Sequence, residues 1–157
     1  MNPELSSLFL TSPFGTGLTA TSVCEQLSKA GNWENRYRTI IQLGKKVLPL
    51  SDALKTENHR VHGCESQVWL YAEFNSNTNE MLYAVDSDAR IVKGLIALAL
   101  AACHRQTPEH IAHFDFDQYF ATMELSKHLN PSRSNGLKTI VDKIQQAALV
   151  NSGEITL

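Results

Sequence analysis

The sequence lacks paired cysteines. Its 157 residues contain three, Cys24, Cys64 and Cys103, which are widely spaced and form no Cys-x-x-Cys motif. Disulfide frameworks need an even set of cysteines, and structural zinc sites usually bring two or more of them together. The amino terminus also lacks the basic start and apolar core of a secretory signal. The odd count without an export signal therefore predicts reduced thiols in a cytoplasm.

Long apolar runs and an excess of positive charge are missing as well. The most apolar window, residues 94–103, is only ten residues long, whereas a membrane-spanning helix needs about 20. Lysine and arginine together number 14, aspartate and glutamate 16, and the formal net charge is -2. No dense basic face is therefore available for nucleic acid. We expect neither a membrane segment nor a nucleic-acid partner.

Signatures of common hydrolytic sites are also absent. The chain has no glycine-rich phosphate loop and no HExxH zinc motif. Leu70 occupies the position that an arginine would take in a Cys-x5-Arg loop starting at Cys64. His110 and His113 are more typical of a solvated helix face than of a ligand pair. Cys24 and Cys103 fall in predicted helices, where a free cysteine acts as a small hydrophobic residue.

The chain does contain the pattern of an antiparallel hairpin. Residues 68–74 and 81–85 alternate in the period-two manner of strands, and Arg60-Val61 is expected to add a short third strand. Residues 1–157 should form a single α+β domain, in which a small antiparallel three-stranded sheet packs against several helices. Within it, residues 1–18 are predicted to be an irregular N-terminal arm and residues 151–157 a frayed tail.

Apolar residues at three- and four-residue spacing predict the helices, and polar residues before them predict the caps. The most apolar helix should form the centre of the core. The predicted helices pass through residues 23–27 and run from Trp33 to about Lys46, Asp88 to about His104, Thr107 to about His113, Phe116 to Met123 and Arg133 to Val150. The expected caps are Thr19 or Thr21, Asn32, Asp86 or Ser87, and Thr107.

Cys64 stands out because it follows Gly63 in a polar loop that leads into the first strand. Glycine permits backbone angles closed to other residues, so the loop can turn sharply with the thiol at its tip. The strand that begins at Val68 provides a rigid anchor. We interpret Cys64 as the functional residue of the chain.

Three kinds of role are compatible with Cys64 at this point. In the first, it is the nucleophile of a persulfide or acyl carrier, which a nearby cation or base such as His62, Arg60 or Arg133 would assist and Glu65 would oppose. In the second, it joins nearby histidines in a metal site, although zinc needs four ligands and only one cysteine is near. In the third, it fills space, as most free cysteines do. The candidate metal ligands beside it are His59, His62, His104 and His113.

Several segments in the same order resemble the SufE family of sulfur-acceptor proteins, and more closely its CsdE branch. The central segment, residues 62–70 (His-Gly-Cys-Glu-Ser-Gln-Val-Trp-Leu), is similar to the family's Gly-Cys-x-Ser-x-Val-Trp segment. Together the matching segments cover about residues 13–148. The others are Pro13-Phe14-Gly15, residues 33–37 and 41–45, residues 86–95 (Asp-Ser-Asp-Ala-Arg-Ile-Val-Lys-Gly-Leu) and residues 131–137 (Pro-Ser-Arg-Ser-Asn-Gly-Leu).

The resemblance implies a fold shared with IscU-type iron–sulfur scaffolds and a role in sulfur transfer. Cys64 would take persulfide sulfur from a cysteine desulfurase, stimulate that enzyme, and relay the sulfur to an iron–sulfur scaffold or another acceptor. The pyridoxal phosphate would belong to the desulfurase, so no cofactor or metal is expected on this chain. The protein would then be an accessory protein in sulfur transfer rather than a stand-alone enzyme. The alternatives are a regulator that binds the desulfurase without carrying sulfur, and a metal-binding scaffold like IscU.

The same resemblance predicts which residues support Cys64. Arg133 should lie near the loop or on the docking face, where it would stabilise a thiolate or pair with an acid of the desulfurase. The resting thiol should be partly covered by Val68, Trp69 and the segment 86–95, so that a persulfide is kept from reductants. The full supporting set is His62, Gly63, Ser66, Trp69, Asp88 and Arg133.

Overall fold

Residues 2–153, the part of the chain that this computed structural model describes, fold into seven α-helices and one two-stranded antiparallel sheet with connecting segments. The α+β class predicted from the sequence is confirmed. None of the helices in this part is long and apolar enough to cross a membrane. The elements are α1 (Pro3–Thr11), α2 (Ala20–Ala30), α3 (Trp33–Gly44), β1 (Val68–Asn75), β2 (Glu80–Ser87), α4 (Arg90–Cys103), α5 (Pro108–His113), α6 (Phe116–Thr122) and α7 (Pro131–Ser152).

The sheet is a hairpin in which β1 pairs with β2 from Val68 opposite Ser87 to Asn75 opposite Glu80. The predicted third strand is wrong, because Arg60 forms only an isolated bridge with Trp69. A turn of 3₁₀ helix precedes Arg60 and the cysteine loop follows it closely, so no length remains for a ladder.

The prediction of an irregular arm is wrong for residues 3–11, which form α1. The Asn2 side chain caps this helix by accepting hydrogen bonds from the backbone N–H groups of Glu4 and Leu5. Leu5 and Phe9, four residues apart, supply its buried face. Of the predicted tail, residues 151–152 complete α7, and residues 154–157 lie outside the described part.

Some of the helix caps and helix starts agree with the predictions and others do not. Thr19, Asn32 and Thr107 cap α2, α3 and α5 as predicted. The predicted cap of α4 is wrong: β2 continues to Ser87, and α4 begins after Ala89 without a side-chain cap. α7 begins at Pro131, two residues before the predicted start, with Asn130 as its cap.

α4 is the centre of the core, as its composition predicts. Every residue from Gly94 to Cys103 is buried, and α4 packs against α2, α3, α7 and β2. The contact with α3 is unusually close at two glycines. A Cβ atom on Gly94 would lie 2.6 Å from the Ile40 carbonyl oxygen, and one on Gly44 would lie 2.6 Å from the Gly94 nitrogen. Only glycine allows the two backbones to approach this closely.

The sheet is covered on both faces, because a second apolar cluster lies on the side away from α4. α1 packs on β2 there and contributes Leu5 and Phe9. The cluster consists of Leu5, Phe9, Leu50, Leu54, Trp69, Tyr71, Leu82 and Ala84.

His104 joins α1 to the sheet just after α4 ends. The ring is fully buried. Its Nδ1 accepts a hydrogen bond from the Tyr83 N–H at 3.0 Å, and its Nε2–H donates to the Phe9 carbonyl oxygen, also at 3.0 Å. Because Nδ1 is already used as an acceptor, the ring must be neutral in this arrangement. Burial lowers the pKa of His104; Arg105 adds to this, and the Phe9 carbonyl and Glu80 oppose it.

We predict that acid weakens the fold through His104. A histidine whose pKa is lower in the folded state stabilises the protein above its unfolded pKa of about 6.5, and this contribution is lost as the pH falls. The free energy of unfolding should therefore drop between pH 7 and pH 5 by up to about 1.4 kcal/mol per pH unit from this one group. In His104→Asn, which keeps an acceptor near the Tyr83 N–H but does not titrate, stability at pH 7 should be lower and its pH dependence shallower. Urea unfolding at several pH values measures both, and parallel pH curves for the two proteins would contradict the prediction.

Candidate functional site

Cys64 lies in a short loop whose two ends are fixed to the sheet and to the segment before α4. At the base of the loop, the Val61 N–H donates to the Val68 carbonyl oxygen at 2.8 Å, which joins the two ends. At the carboxyl end, the Ser87 hydroxyl also donates to the Gln67 carbonyl oxygen at 2.7 Å, and the Gln67 N–H donates to Asp88 Oδ1 at 3.1 Å. Asp88 therefore supports the loop by fixing its carboxyl end.

Between these ends the loop lies along α7, with about one loop residue against each helical turn. Gly63 has a φ of +92°, which favours glycine, and a Cβ atom there would lie 3.6 Å from the Thr139 side chain. One residue further on, Cys64 lies against Gly136. Next, Glu65 Oε2 accepts a hydrogen bond from the Ser132 hydroxyl at 2.7 Å.

The Cys64 thiol is half-buried, and its S–H donates a weak hydrogen bond to the Gly136 carbonyl oxygen at 3.6 Å. Gly136 lies directly against the thiol, since a Cβ atom there would be in van der Waals contact with Sγ at 3.6 Å. Burial raises the pKa of Cys64 above its ordinary value. The resting thiol is therefore protonated at neutral pH and is a poor nucleophile.

A cavity of about 140 Å³ opens beside the thiol. Its walls come from the cysteine loop, the start of α4 and the first turns of α7, and most of them are apolar. As predicted, the segment 86–95 supplies part of the cover. The lining residues are Cys64, Glu65, Ser66, Ala89, Ile91, Val92, Leu95, Ser132, Arg133, Gly136, Leu137 and Ile140.

The cavity lining includes two of the predicted supporting residues, but neither of the two strand residues that were expected to cover the thiol. Ser66 and Arg133 line the cavity, and Arg133 is the cationic side chain in that lining. Trp69, however, points to the opposite face of the sheet, into the cluster under α1, with Lys55 Nζ 5.2 Å from the centroid of its ring. Side chains alternate along a strand, so Val68 and Trp69 cannot both face the loop. Val68 is buried in the main core and is not part of the cavity lining.

The basic candidates next to Cys64 in sequence lie outside the cavity lining. His62 is exposed and its Nε2 lies 3.0 Å from Glu57 Oε1, while Arg60 belongs to the bridge with Trp69. Neither residue lines the cavity. Arg133, distant in sequence, is therefore the better candidate to stabilise a charge on the sulfur.

A family model matches residues 21–148 and is described as SufE, an Fe-S metabolism associated domain. The chain belongs to the SufE family. The matched segment contains Cys64 and every residue that lines its cavity, whereas α1 precedes it. The match names the family and not its branches, so the closer resemblance to CsdE stays a prediction.

The SufE fold is also seen in a solved structure of similar shape. This is the solution structure of a hypothetical protein from Thermus thermophilus, with a TM-score of 0.69 and 18% sequence identity. The similarity covers 85% of this chain and 96% of that one. At this identity the likeness concerns the fold alone.

The histidines considered as metal ligands are not gathered around Cys64 in this SufE domain. His59 stacks on Tyr71 with ring centroids 3.8 Å apart, and His104 is enclosed between α1 and β2. Across residues 2–153, no group of three or more His, Cys, Asp or Glu side chains is arranged to hold a metal ion. The geometry thus gives no support to the metal-binding alternative.

The other two cysteines sit in helices, as the sequence predicts. Cys103 is fully buried at the end of α4, and Cys24 is half-buried on α2 against the main core. Burial raises the pKa of both thiols. Neither borders the cavity beside Cys64.

Gly136 and Ser132 are site residues that the sequence analysis did not single out, although both fall in a segment that resembles the family. Gly136 carried a usable signal, because glycine within a helix costs about 1 kcal/mol relative to alanine and usually has a packing reason. In the structure, Gly136 is buried and lies against Cys64. Ser132 carried no such signal, since serine in the first turn of a helix is common.

A larger groove of about 450 Å³ lies on the other side of α7, and Leu137 belongs to both linings. Its floor includes Phe116 and Phe120, and its rim includes Asp117 and Asp142. The lining contains neither cysteine nor histidine. The smaller cavity is therefore the better candidate for chemistry.

We predict that Cys64 of the free protein reacts slowly with iodoacetamide at neutral pH. The residues that line the cavity limit access of the reagent to the thiol, and the raised pKa of Cys64 leaves little thiolate. The rate at Cys64, followed by peptide mass mapping between pH 6 and pH 10, should give an apparent pKa above that of free cysteine and should exceed the rate at Cys103. Protein unfolded in urea is the control, in which the three cysteines should react alike. A folded-state rate equal to that of glutathione would contradict the prediction.

Proposed function

We propose that this SufE-family protein accepts sulfur on Cys64 from the persulfide of a cysteine desulfurase and relays it onward. The observation that supports this most strongly is the position of the thiol. Cys64 lies on a loop that is fixed at both ends, and its sulfur borders a mostly apolar cavity of about 140 Å³. Such a site can hold a small reactive group away from water, yet a movement of a few residues brings it to the surface.

The chemical step in this proposal is a sulfur exchange without net oxidation. The Cys64 thiol gives its proton to solvent or to a base, and the thiolate attacks the outer sulfur of the donor persulfide. A new S–S bond forms on Cys64 while the S–S bond of the donor breaks, and the donor cysteine leaves as a thiolate. The pyridoxal phosphate that generates the donor persulfide belongs to the desulfurase.

The raised pKa of the resting thiol fits a protein that waits for its partner. Burial keeps Cys64 protonated, so the free protein does not react with every disulfide or oxidant. When the loop turns outward against the desulfurase, the thiol leaves the apolar cavity and its pKa can fall. Reaction is then favoured at the interface. By accepting the persulfide sulfur, the docked loop would also stimulate the desulfurase.

Arg133 supports the proposal because it adds a positive charge to the cavity lining. A guanidinium group there can stabilise a thiolate or persulfide anion, or pair with an acid of the desulfurase. The onward recipient would be an iron–sulfur scaffold or another sulfur acceptor, in keeping with a family associated with Fe-S metabolism. A regulator that docks without carrying sulfur is the main rival, and the fate of Cys64 distinguishes the two.

We predict that Cys64 alone acquires sulfane sulfur. After incubation with a desulfurase and free cysteine, the parent protein should gain mass in steps of one sulfur. Cys64→Ser should fold normally and gain none, whereas Cys24→Ser should behave like the parent. Intact-mass spectrometry without reductant measures this. Equal gains in the parent and Cys64→Ser would refute the assignment, and no gain in either would favour the regulator.

We also predict that Arg133→Ala weakens stimulation of the desulfurase. Loss of a charge-assisted hydrogen bond or ion pair should reduce stimulation roughly tenfold, with the melting temperature unchanged, because Arg133 is partly exposed in the first turn of α7. Arg38→Ala, which removes an exposed arginine from α3, is the matched control. Stimulation is measured as sulfide release at a series of concentrations of this protein. Equal stimulation by the two variants would show that Arg133 has no such role.

A further inference from the structure

The tip of the cysteine loop is held to α7 by few hydrogen bonds. In the described part of the chain, two hydrogen bonds join residues 62–66 to this helix. The S–H of Cys64 donates to the Gly136 carbonyl oxygen at 3.6 Å, and the Ser132 hydroxyl donates to Glu65 Oε2 at 2.7 Å. A thiol is a weak donor, whereas a carboxylate is a strong acceptor. The bond between Glu65 and Ser132 is therefore the stronger of the two.

The ends of the loop are fixed by contacts that do not involve the tip. Val61 is bonded to Val68, and Gln67 is bonded to Ser87 and Asp88. His62 pairs with Glu57, before Gly63. Gly63, with its φ of +92°, lies between this segment and the tip, and glycine permits backbone rotations that are closed to other residues. A rotation there can carry Cys64 out of the cavity if the contacts of Cys64 and Glu65 with α7 break.

We propose that Glu65 is a positioning residue for sulfur transfer: its hydrogen bond to Ser132 holds Cys64 in the cavity until the partner docks. This inference rests on the proposed function of Cys64. Both side chains are exposed, so water competes for the bond and its effect is modest. A hydrogen bond of this kind changes an opening equilibrium by about two- to tenfold. That is enough to favour the closed loop and little enough for docking to overcome.

Substituting Glu65 removes a negative charge next to Cys64 in sequence as well as the hydrogen bond, and the test separates the two effects. A carboxylate beside a thiol disfavours the thiolate and so slows alkylation without holding the loop. The pH dependence of alkylation distinguishes them. A change in charge shifts the apparent pKa, whereas a change in loop opening alters the limiting rate at high pH.

The experiment measures alkylation of Cys64 by iodoacetamide from pH 6 to pH 10 in the free protein, with peptide mass mapping. Ser132→Ala removes the hydrogen bond and keeps the charge, Glu65→Gln removes the charge and keeps an acceptor, and Glu65→Ala removes both. We expect the limiting rate to rise about two- to tenfold in Ser132→Ala and Glu65→Ala, and to stay near that of the parent in Glu65→Gln. The double variant Glu65→Ala/Ser132→Ala should react no faster than the faster single variant, because the two residues share one bond.

Glu34→Ala is the matched control, since it removes an exposed carboxylate that pairs with Arg38 on α3, away from the loop. Its limiting rate should equal that of the parent. The proposal is overturned if Ser132→Ala reacts at the parent's limiting rate, if Glu65→Ala changes only the apparent pKa, or if the effects in the double variant add. No desulfurase is present in this test. If this test fails, the proposal that Cys64 accepts sulfur is unaffected. If the protein gains no sulfur from a desulfurase, the result for the loop is unaffected.

Discussion

The close packing of α3 on α4 is the constraint on which the rest of this structure depends. Gly44 and Gly94 let the two backbones approach within a distance that no side chain permits. This contact fixes the position of α4, whose buried length then supports β2 on one side and α7 on another. The first turn of α4 lines the cavity beside Cys64. The shape of the site therefore depends on a helix crossing that lies outside it.

The site itself balances reactivity against protection. A thiol in open water would be reactive at all times, whereas a fully buried one, such as Cys103, would never meet a partner. Cys64 lies between these cases, half-buried over a helix that lacks a side chain at the point of contact. The loop ends are held by hydrogen bonds to their backbone groups, and the tip by hydrogen bonds of the Cys64 and Glu65 side chains. In the proposed mechanism, the contacts at the loop ends set where the thiol rests, and the weaker contacts of the tip set how readily it leaves.

The sequence predicted the parts of the fold that depend on local patterns. The hairpin, the buried helix α4 and the caps Thr19, Asn32 and Thr107 follow from periodicity and from polar residues before helices. α1 was missed because its buried face consists of only two residues, Leu5 and Phe9. The third strand was predicted wrongly because composition does not distinguish an isolated bridge, here between Arg60 and Trp69, from a short strand ladder.

The candidate site could be predicted at Cys64 but only partly around it. Gly63 follows from its place before Cys64, and Ser66 and Arg133 lie in segments that resemble the family, whereas the contact of Cys64 with Gly136 depends on how α7 packs against the loop. Trp69 was placed wrongly for a different reason. The face of a strand on which an aromatic residue lies depends on what covers the sheet, and the sequence pattern does not predict the covering helix α1.

That covering helix also bears on where the folding unit ends. The family model begins at residue 21, so α1 lies outside the segment by which the family is recognised. A fragment trimmed to that segment for expression would retain the cysteine loop and its cavity. It would also uncover the aromatic face of the hairpin and leave the Nε2–H of His104 without the Phe9 carbonyl. An apolar sheet face open to water promotes self-association, so the boundary of sequence similarity is a poor guide to where this protein can be cut.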